Sequence, residues 1–144
     1  MISSLFSNLF LVLVIGLFGC TSGPVPFKSG KDQCDHCKMV ISDVRFAAQI
    51  ETQKGKIFKF DDMRCMVDYA NGGKIKKTDI KNYYVSDFMN KKNILNCKDA
   101  FYYASADFKS PMNGNIAAFA TQSDVKKVAP TFSGKEMKWS EILK

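Results

Sequence analysis

The sequence has no second Cys-x-x-Cys, a single histidine, and no Lys or Arg ahead of Lys28. The first lack leaves a structural zinc site half specified, because such sites commonly draw their ligands from two matched pairs. The second limits imidazole to one ligand, His36. The third leaves only the amino terminus to supply positive charge to an export signal. A massed basic block is also missing: the 21 Lys and Arg are scattered, which, with export, argues against nucleic acid as a partner. A chain of 144 residues that loses a leader also has no room for a full-size nucleotide-binding fold.

What is present begins with an apolar run over residues 10–18, flanked by Leu5, Phe6 and Leu9. Its length fits a secretory h-region better than a bilayer-spanning helix. The run ends at Leu17-Phe18-Gly19-Cys20, and a small residue before a cysteine at that place resembles the lipobox of bacterial lipoproteins. Residues 1–19 are therefore expected to be a signal peptide, with Cys20 acylated as the first residue of the mature chain. Residues 20–32 have the Pro, Gly and Ser composition of a tether, and residues 33–144 form the globular part. That part is one ordinary domain of roughly 115 residues. The exported portion after Cys20 keeps the chain's full net charge of +7, which favours proximity to an anionic bilayer and to acidic partners.

Of the five cysteines, Cys34, Cys37, Cys65 and Cys97 remain once Cys20 carries lipid. In an oxidising compartment one or two disulfides are the bland expectation. The segment Cys34-Asp35-His36-Cys37-Lys38-Met39 points elsewhere, since thiolate and thioether together suit Cu(I). On an extended stretch Cys37 and Met39 face the same side. A third soft donor would come from Met112, Cys34, His36 or Cys65. Met112 stands out because Ser110-Pro111-Met112-Asn113-Gly114 reads as a turn, where a long apolar side chain is out of place. Met63, Met66, Met89 and Met137 are expected to be core filler.

A lone Cys-x-x-Cys also serves thioredoxin-like redox chemistry, disulfides and zinc. The redox use wants the pair at a helix N-terminus after a strand; here it precedes the first predicted strand. A lipid-anchored thiol-disulfide oxidoreductase using Cys34 and Cys37 is the alternative enzyme reading. A structural zinc or disulfide domain that only binds a partner is a third.

Alternation predicts strands over 44–51 and 56–60, joined by a glycine-bearing turn. Asp61-Asp62 offers an N-cap to a helix over 61–70, ended at Asn71-Gly72-Gly73. A strand over 82–87 completes the unit. A second pass gives strands over 100–105 and 116–120, a helix over 123–128, and a short terminal helix over 138–143 with a strand or helix before it. The order suggests a weak internal duplication and an α+β fold of two related ββαβ halves.

Three ordered motifs carry a family resemblance. Cys34-Asp35-His36-Cys37-Lys38-Met39, Phe60-Asp61-Asp62-Met63-Arg64-Cys65-Met66 and Ser110-Pro111-Met112-Asn113 resemble the Cys-x-x-Cys-Gly-Met, Phe-Asp-Asp-x-x-Cys-Met and Ser-Pro-Met-Gly motifs of the NosL family. These are copper-binding lipoproteins that assist maturation of nitrous-oxide reductase. The resemblance implies a Cu(I) site of Cys37, Met39 and Met112, with Cys34, His36 and Cys65 as auxiliaries. It also implies a metallochaperone, not an enzyme, facing the periplasm, with nitrous-oxide reductase and its membrane assembly complex as partners. Lys38 and Asn113 stand where the family motifs have glycine.

Overall fold

The computed structural model describes residues 22–144; the expected signal peptide and Cys20 lie outside them. Two antiparallel sheets form the domain, one of four strands in the order β2-β1-β3-β4 and one of three in the order β6-β5-β7. In the first, β1 (Ala48–Thr52) pairs with β2 (Ile57–Phe60) as a hairpin, α1 (Met63–Asn71) returns across it, and β3 (Ile80–Ser86) pairs with the other edge of β1. Strand β4 (Ile94–Asn96) adds to β3. In the second, β5 (Phe101–Ala104) pairs with β6 (Ile116–Phe119), α2 (Gln122–Val128) follows, and β7 (Lys135–Met137) takes the free edge of β5. Helix α3 (Trp139–Ile142) ends the chain.

The two halves share one plan: β1-β2-α1-β3 and β5-β6-α2-β7 each place their first strand between the second and the last. The sheets meet where Asp87 bridges Ala118 and the Phe88 N–H donates to the Ala118 carbonyl at 2.8 Å. Two cores form, and each draws on both halves. Ile50, Phe60, Met63, Met66 and Val85 pack under α1 with Tyr102 and Ala118 from the second sheet. Phe46, Phe108, Phe119, Val125 and Val128 surround Phe88 in the other.

Helices α1 and α2 each start where a side chain caps them. Asp62 accepts from the Arg64 N–H ahead of α1, and Thr121 accepts from the Asp124 N–H ahead of α2, satisfying donors that the first turn leaves unpaired. The same chemistry shortens the first predicted strand. Asp43 accepts from the Arg45 N–H, so Val44–Phe46 is a 3-10 turn and the strand begins only at Ala48.

Strand β1 is buried along its whole length, Gln49 and Glu51 included. The covering comes from the segment whose composition suggests a tether. Ser22 Oγ and the Gly23 N–H donate to Glu51 Oε1 at 2.7 and 3.2 Å. Val25 and Gln49 exchange two hydrogen bonds of 3.0 and 2.5 Å. Burial alone would raise the Glu51 carboxyl, but donation from Asn82, Ser22, Tyr84 and Lys81 outweighs it and holds the group down to about 2.

The methionines divide. Met63 and Met66 are buried at 2% and 0% exposure, and Met137 packs half-buried against the same core. Met89 corrects the core-filler expectation: it is 52% exposed, in the turn after β3, where the Asp87 carboxylate accepts from its N–H at 3.0 Å.

Candidate metal centre

The Cys-x-x-Cys segment is a tight turn, not the start of an extended run. Gln33 bridges Val40 as an antiparallel pair. Inside that bridge the Cys34 N–H donates to the Met39 carbonyl at 2.8 Å and the Lys38 N–H to the Cys34 carbonyl at 3.0 Å. Lys38 closes the turn at φ +67°, a left-handed conformation that costs a non-glycine residue about 1–2 kcal/mol. This overturns the extended-strand argument for Cys37 and Met39 facing one side, because a left-handed residue stands between them.

The turn is fixed to the edge of β2. Asp35 donates its N–H to the Lys59 carbonyl at 2.8 Å, and its carboxylate accepts from the Lys59 N–H at 2.7 Å. The end of β2 delivers Asp61, and the first turn of α1 delivers Cys65. One donor atom from each of Cys34, Cys37, Asp61 and Cys65 lies within 4.8 Å of the others. Cys34 and Cys65 are buried, and Cys37 is half-buried at the rim. Among the described residues all four remaining cysteines are free thiols, in contrast to the disulfide expectation.

The electrostatics favour a cation. Asp61 is 1% exposed. Its Oδ2 accepts from the Cys37 thiol at 3.5 Å, while Oδ1 is buried with no hydrogen-bond partner. An orphaned buried carboxylate oxygen is costly, and a bound cation beside the thiols would offset that. Burial pushes the Cys34 and Cys65 thiols upward, the carboxylate of Asp61 adding to the effect. They are neutral thiols at physiological pH, unlike the activated thiol of a redox pair.

Met112 reaches the same neighbourhood through Asp62. The Asp62 carboxylate caps α1 through Oδ1 and turns Oδ2 towards the Ser-Pro-Met turn. There it accepts from Ser110 Oγ at 2.6 Å, from the Met112 N–H at 3.0 Å and from the Gly114 N–H at 3.4 Å. Met112 and Cys37 both pack half-buried against the core that contains Cys34 and Cys65. A Cβ on Gly114 would collide with the Asp62 carboxylate. Asn113 sits at φ +58°, so both positions that depart from a motif glycine are left-handed.

Met39 is 53% exposed beside the thiol turn. His36 is exposed and meets Tyr69 edge-on, with ring centroids 6.4 Å apart. The geometry therefore gathers Cys34, Cys37 and Cys65 with Asp61, places Met112 against their common core, and leaves Met39 and His36 at the surface. Asp61 is the donor that sequence reasoning missed, since both aspartates read as capping residues and only Asp62 caps. The available signal was an acidic residue between Phe60 and Met63 on a strand-to-helix path into the core.

The chain matches the family model NosL over residues 24–144. It is 24% identical over 146 residues to the copper-binding lipoprotein NosL of Stutzerimonas stutzeri, covering 92% of this chain and 76% of that protein. Its fold resembles the crystal structure of the copper chaperone NosL from Shewanella denitrificans, with a TM-score of 0.69 at 17% identity, over 82% of this chain and 94% of that one. Among the described residues no helix is long and apolar enough to cross a membrane.

Proposed function

The chain belongs to the NosL family, and from that premise we propose that it is an exported, lipid-anchored carrier that holds Cu(I) as cargo through Cys37, Met39 and Met112. Cys34 and Cys65, buried behind Cys37, and His36, exposed beside it, are auxiliary donors. Acylated Cys20 fixes the carrier to a membrane on its periplasmic face. Its recipient is the copper-assembly apparatus of nitrous-oxide reductase.

The observation that carries the reading is the graded exposure of the sulfurs. Cys34 and Cys65 are buried, Cys37 stands at the rim and Met39 is outside. Cu(I) accepts thiolate and thioether together. A shallow site of few soft ligands lets an incoming donor attach before the last resident sulfur leaves, so the ion passes by ligand exchange without release. Thioethers also resist the disulfide formation that disables thiols outside the cytoplasm. The relatives are named as a copper-binding lipoprotein and a copper chaperone, which agrees with a carrier. The oxidoreductase alternative would require an activated, accessible Cys34, but Cys34 is buried at 0% exposure.

Competition for Cu(I) against a chromophoric chelator tests the ligand set. Cys37→Ser, Met39→Leu and Met112→Leu are each expected to weaken binding by at least the 10–100-fold typical of disturbed metal shells. Unchanged affinity in both methionine variants would remove the proposed site. Disulfide reductase activity lost on Cys34→Ser would favour the enzyme instead.

A further inference from the structure

The segment before the thiol turn runs in one direction along the first sheet. Ser22 and Gly23 bind Glu51, Val25 binds Gln49 two residues back along β1, and Lys59 Nζ reaches the Pro26 carbonyl at 3.2 Å and Asp32 at 2.6 Å. The chain thus enters at the turn end of the β1–β2 hairpin and arrives at Cys34 at the opposite end. Lys81 Nζ bonds both Ser22 Oγ and Glu51 Oε1, fixing the entry point. Cys20 precedes Ser22 by two residues, a reach of about 7 Å.

That entry end is basic. Lys54 and Lys56 from the hairpin turn, and Lys74 and Lys76 from the loop after α1, rim a concavity of about 510 Å³ with Phe58 and Ile75 in it. All four lysines are exposed. The one acidic side chain lining it is Asp79. Lys56 Nζ lies 4.3 Å from the Phe58 ring centroid. Helix α1 separates this rim from the metal centre: Cys65 is in its first turn, Lys74 lies just past its last, and its nine residues span about 13 Å.

We propose that this lysine-rimmed end docks on the phosphate headgroups of an anionic phospholipid bilayer, orienting the carrier with its metal centre directed away from the membrane. The proposal rests on the lipid-anchored reading of Cys20 and adds an orientation to it. Two features favour a bilayer as the occupant: four exposed cations rim one concavity, and Ser22, two residues after Cys20, is bound to Glu51 at the same end of the hairpin. Each lysine at an anionic surface is worth about fivefold in partition, and the attraction is screened by salt.

The test uses the full lipid-modified chain in phosphatidylcholine vesicles with and without phosphatidylglycerol. Acetylation by a water-soluble reagent is followed at each lysine by mass spectrometry. With phosphatidylglycerol, Lys54, Lys56, Lys74 and Lys76 should slow at least about fivefold. Lys38 at the metal end and Lys126 and Lys127 on α2 should keep their rates, and 1 M salt should remove the protection. Equal rates in both vesicles, or equal protection of Lys38, would overturn the docking. K54E/K56E should restore fast acetylation of Lys74 and Lys76; retained protection there would also overturn it. Failure to float with phosphatidylcholine vesicles would refute the lipid anchor alone. The same four lysines, read with added phosphatidylglycerol vesicles, would still decide the docking by their protection or its absence.

Discussion

Asp62→Asn tests how the Ser-Pro-Met turn is held. Asp62 is 1% exposed, and its two oxygens divide their work, Oδ1 capping α1 at 2.8 Å and Oδ2 taking the Ser110 hydroxyl and the Met112 N–H at 2.6 and 3.0 Å. Asparagine has one acceptor oxygen. If that oxygen keeps the helix cap, the amide NH2 faces the Ser110 and Met112 donors; if it keeps the turn, the cap is lost. A hydrogen bond to a charged group contributes about 1.5–3 kcal/mol and a cap about 1 kcal/mol. Loss of the two turn hydrogen bonds should therefore destabilise the variant by about 3 kcal/mol, and loss of the cap instead by about 1 kcal/mol.

Urea unfolding measures that loss, and Cu(I) competition measures the consequence, expected as about a tenfold weaker site because Met112 is no longer positioned. A double-mutant cycle isolates the route. Asp62→Asn added to Met112→Leu should weaken copper binding little beyond Met112→Leu alone. Stability within 0.5 kcal/mol of wild type, about the scatter of neutral surface changes, would refute the reasoning, as would fully additive affinity losses.

Three further outcomes are expected. Glu51 is held at about 2 against an ordinary value of 4.5, so its contribution of about 3 kcal/mol is complete above pH 4.5 and fades as pH falls towards 2. Urea midpoints between pH 5 and pH 2 should fall steeply in wild type and be flatter in Glu51→Gln; parallel slopes would contradict this. Lys38→Gly relieves a left-handed residue at φ +67° and should stabilise the fold by about 1 kcal/mol, read as a higher melting temperature. Met66→Ala opens a cavity at a fully buried position and should cost about 2–5 kcal/mol. Copper affinity of the folded fraction should stay near wild type; a tenfold loss would mean that Met66 supports the site directly.

The fold was legible where alternation and caps are local. The β1–β2 hairpin, α1 with its acidic cap, and the repeated order of the second half all carry period and punctuation in the residues themselves. Strand β4 was not, because Ile94–Asn96 is three residues long and is defined by pairing with β3 rather than by a pattern of its own. The strand predicted from residue 44 fails for a local reason, the competition of the Asp43 side chain for backbone N–H groups.

Of the site, the thiol turn, Cys65 and Met112 were readable as soft donors, but their grouping was not. Bringing Cys34 and Cys37 against Cys65 requires Asp35 to lock onto Lys59, a pairing across 24 positions. The separate roles of Asp61 and Asp62 follow from one residue facing the thiols and the next capping the helix. The docking of Ser22 and Val25 on β1 was hidden because a Pro, Gly and Ser segment reads the same whether or not acceptors await it. Buried Gln49 and Glu51 on a central strand are the residues that await it.

X-ray absorption at the copper edge of the Cu(I)-loaded protein tests the ligand set most directly. The expected shell is dominated by sulfur and loses one sulfur in Met112→Leu and one in Met39→Leu. A shell unchanged in both variants, and depleted only by Cys34→Ser or Cys65→Ser, would contradict it and place the ion within the buried thiols.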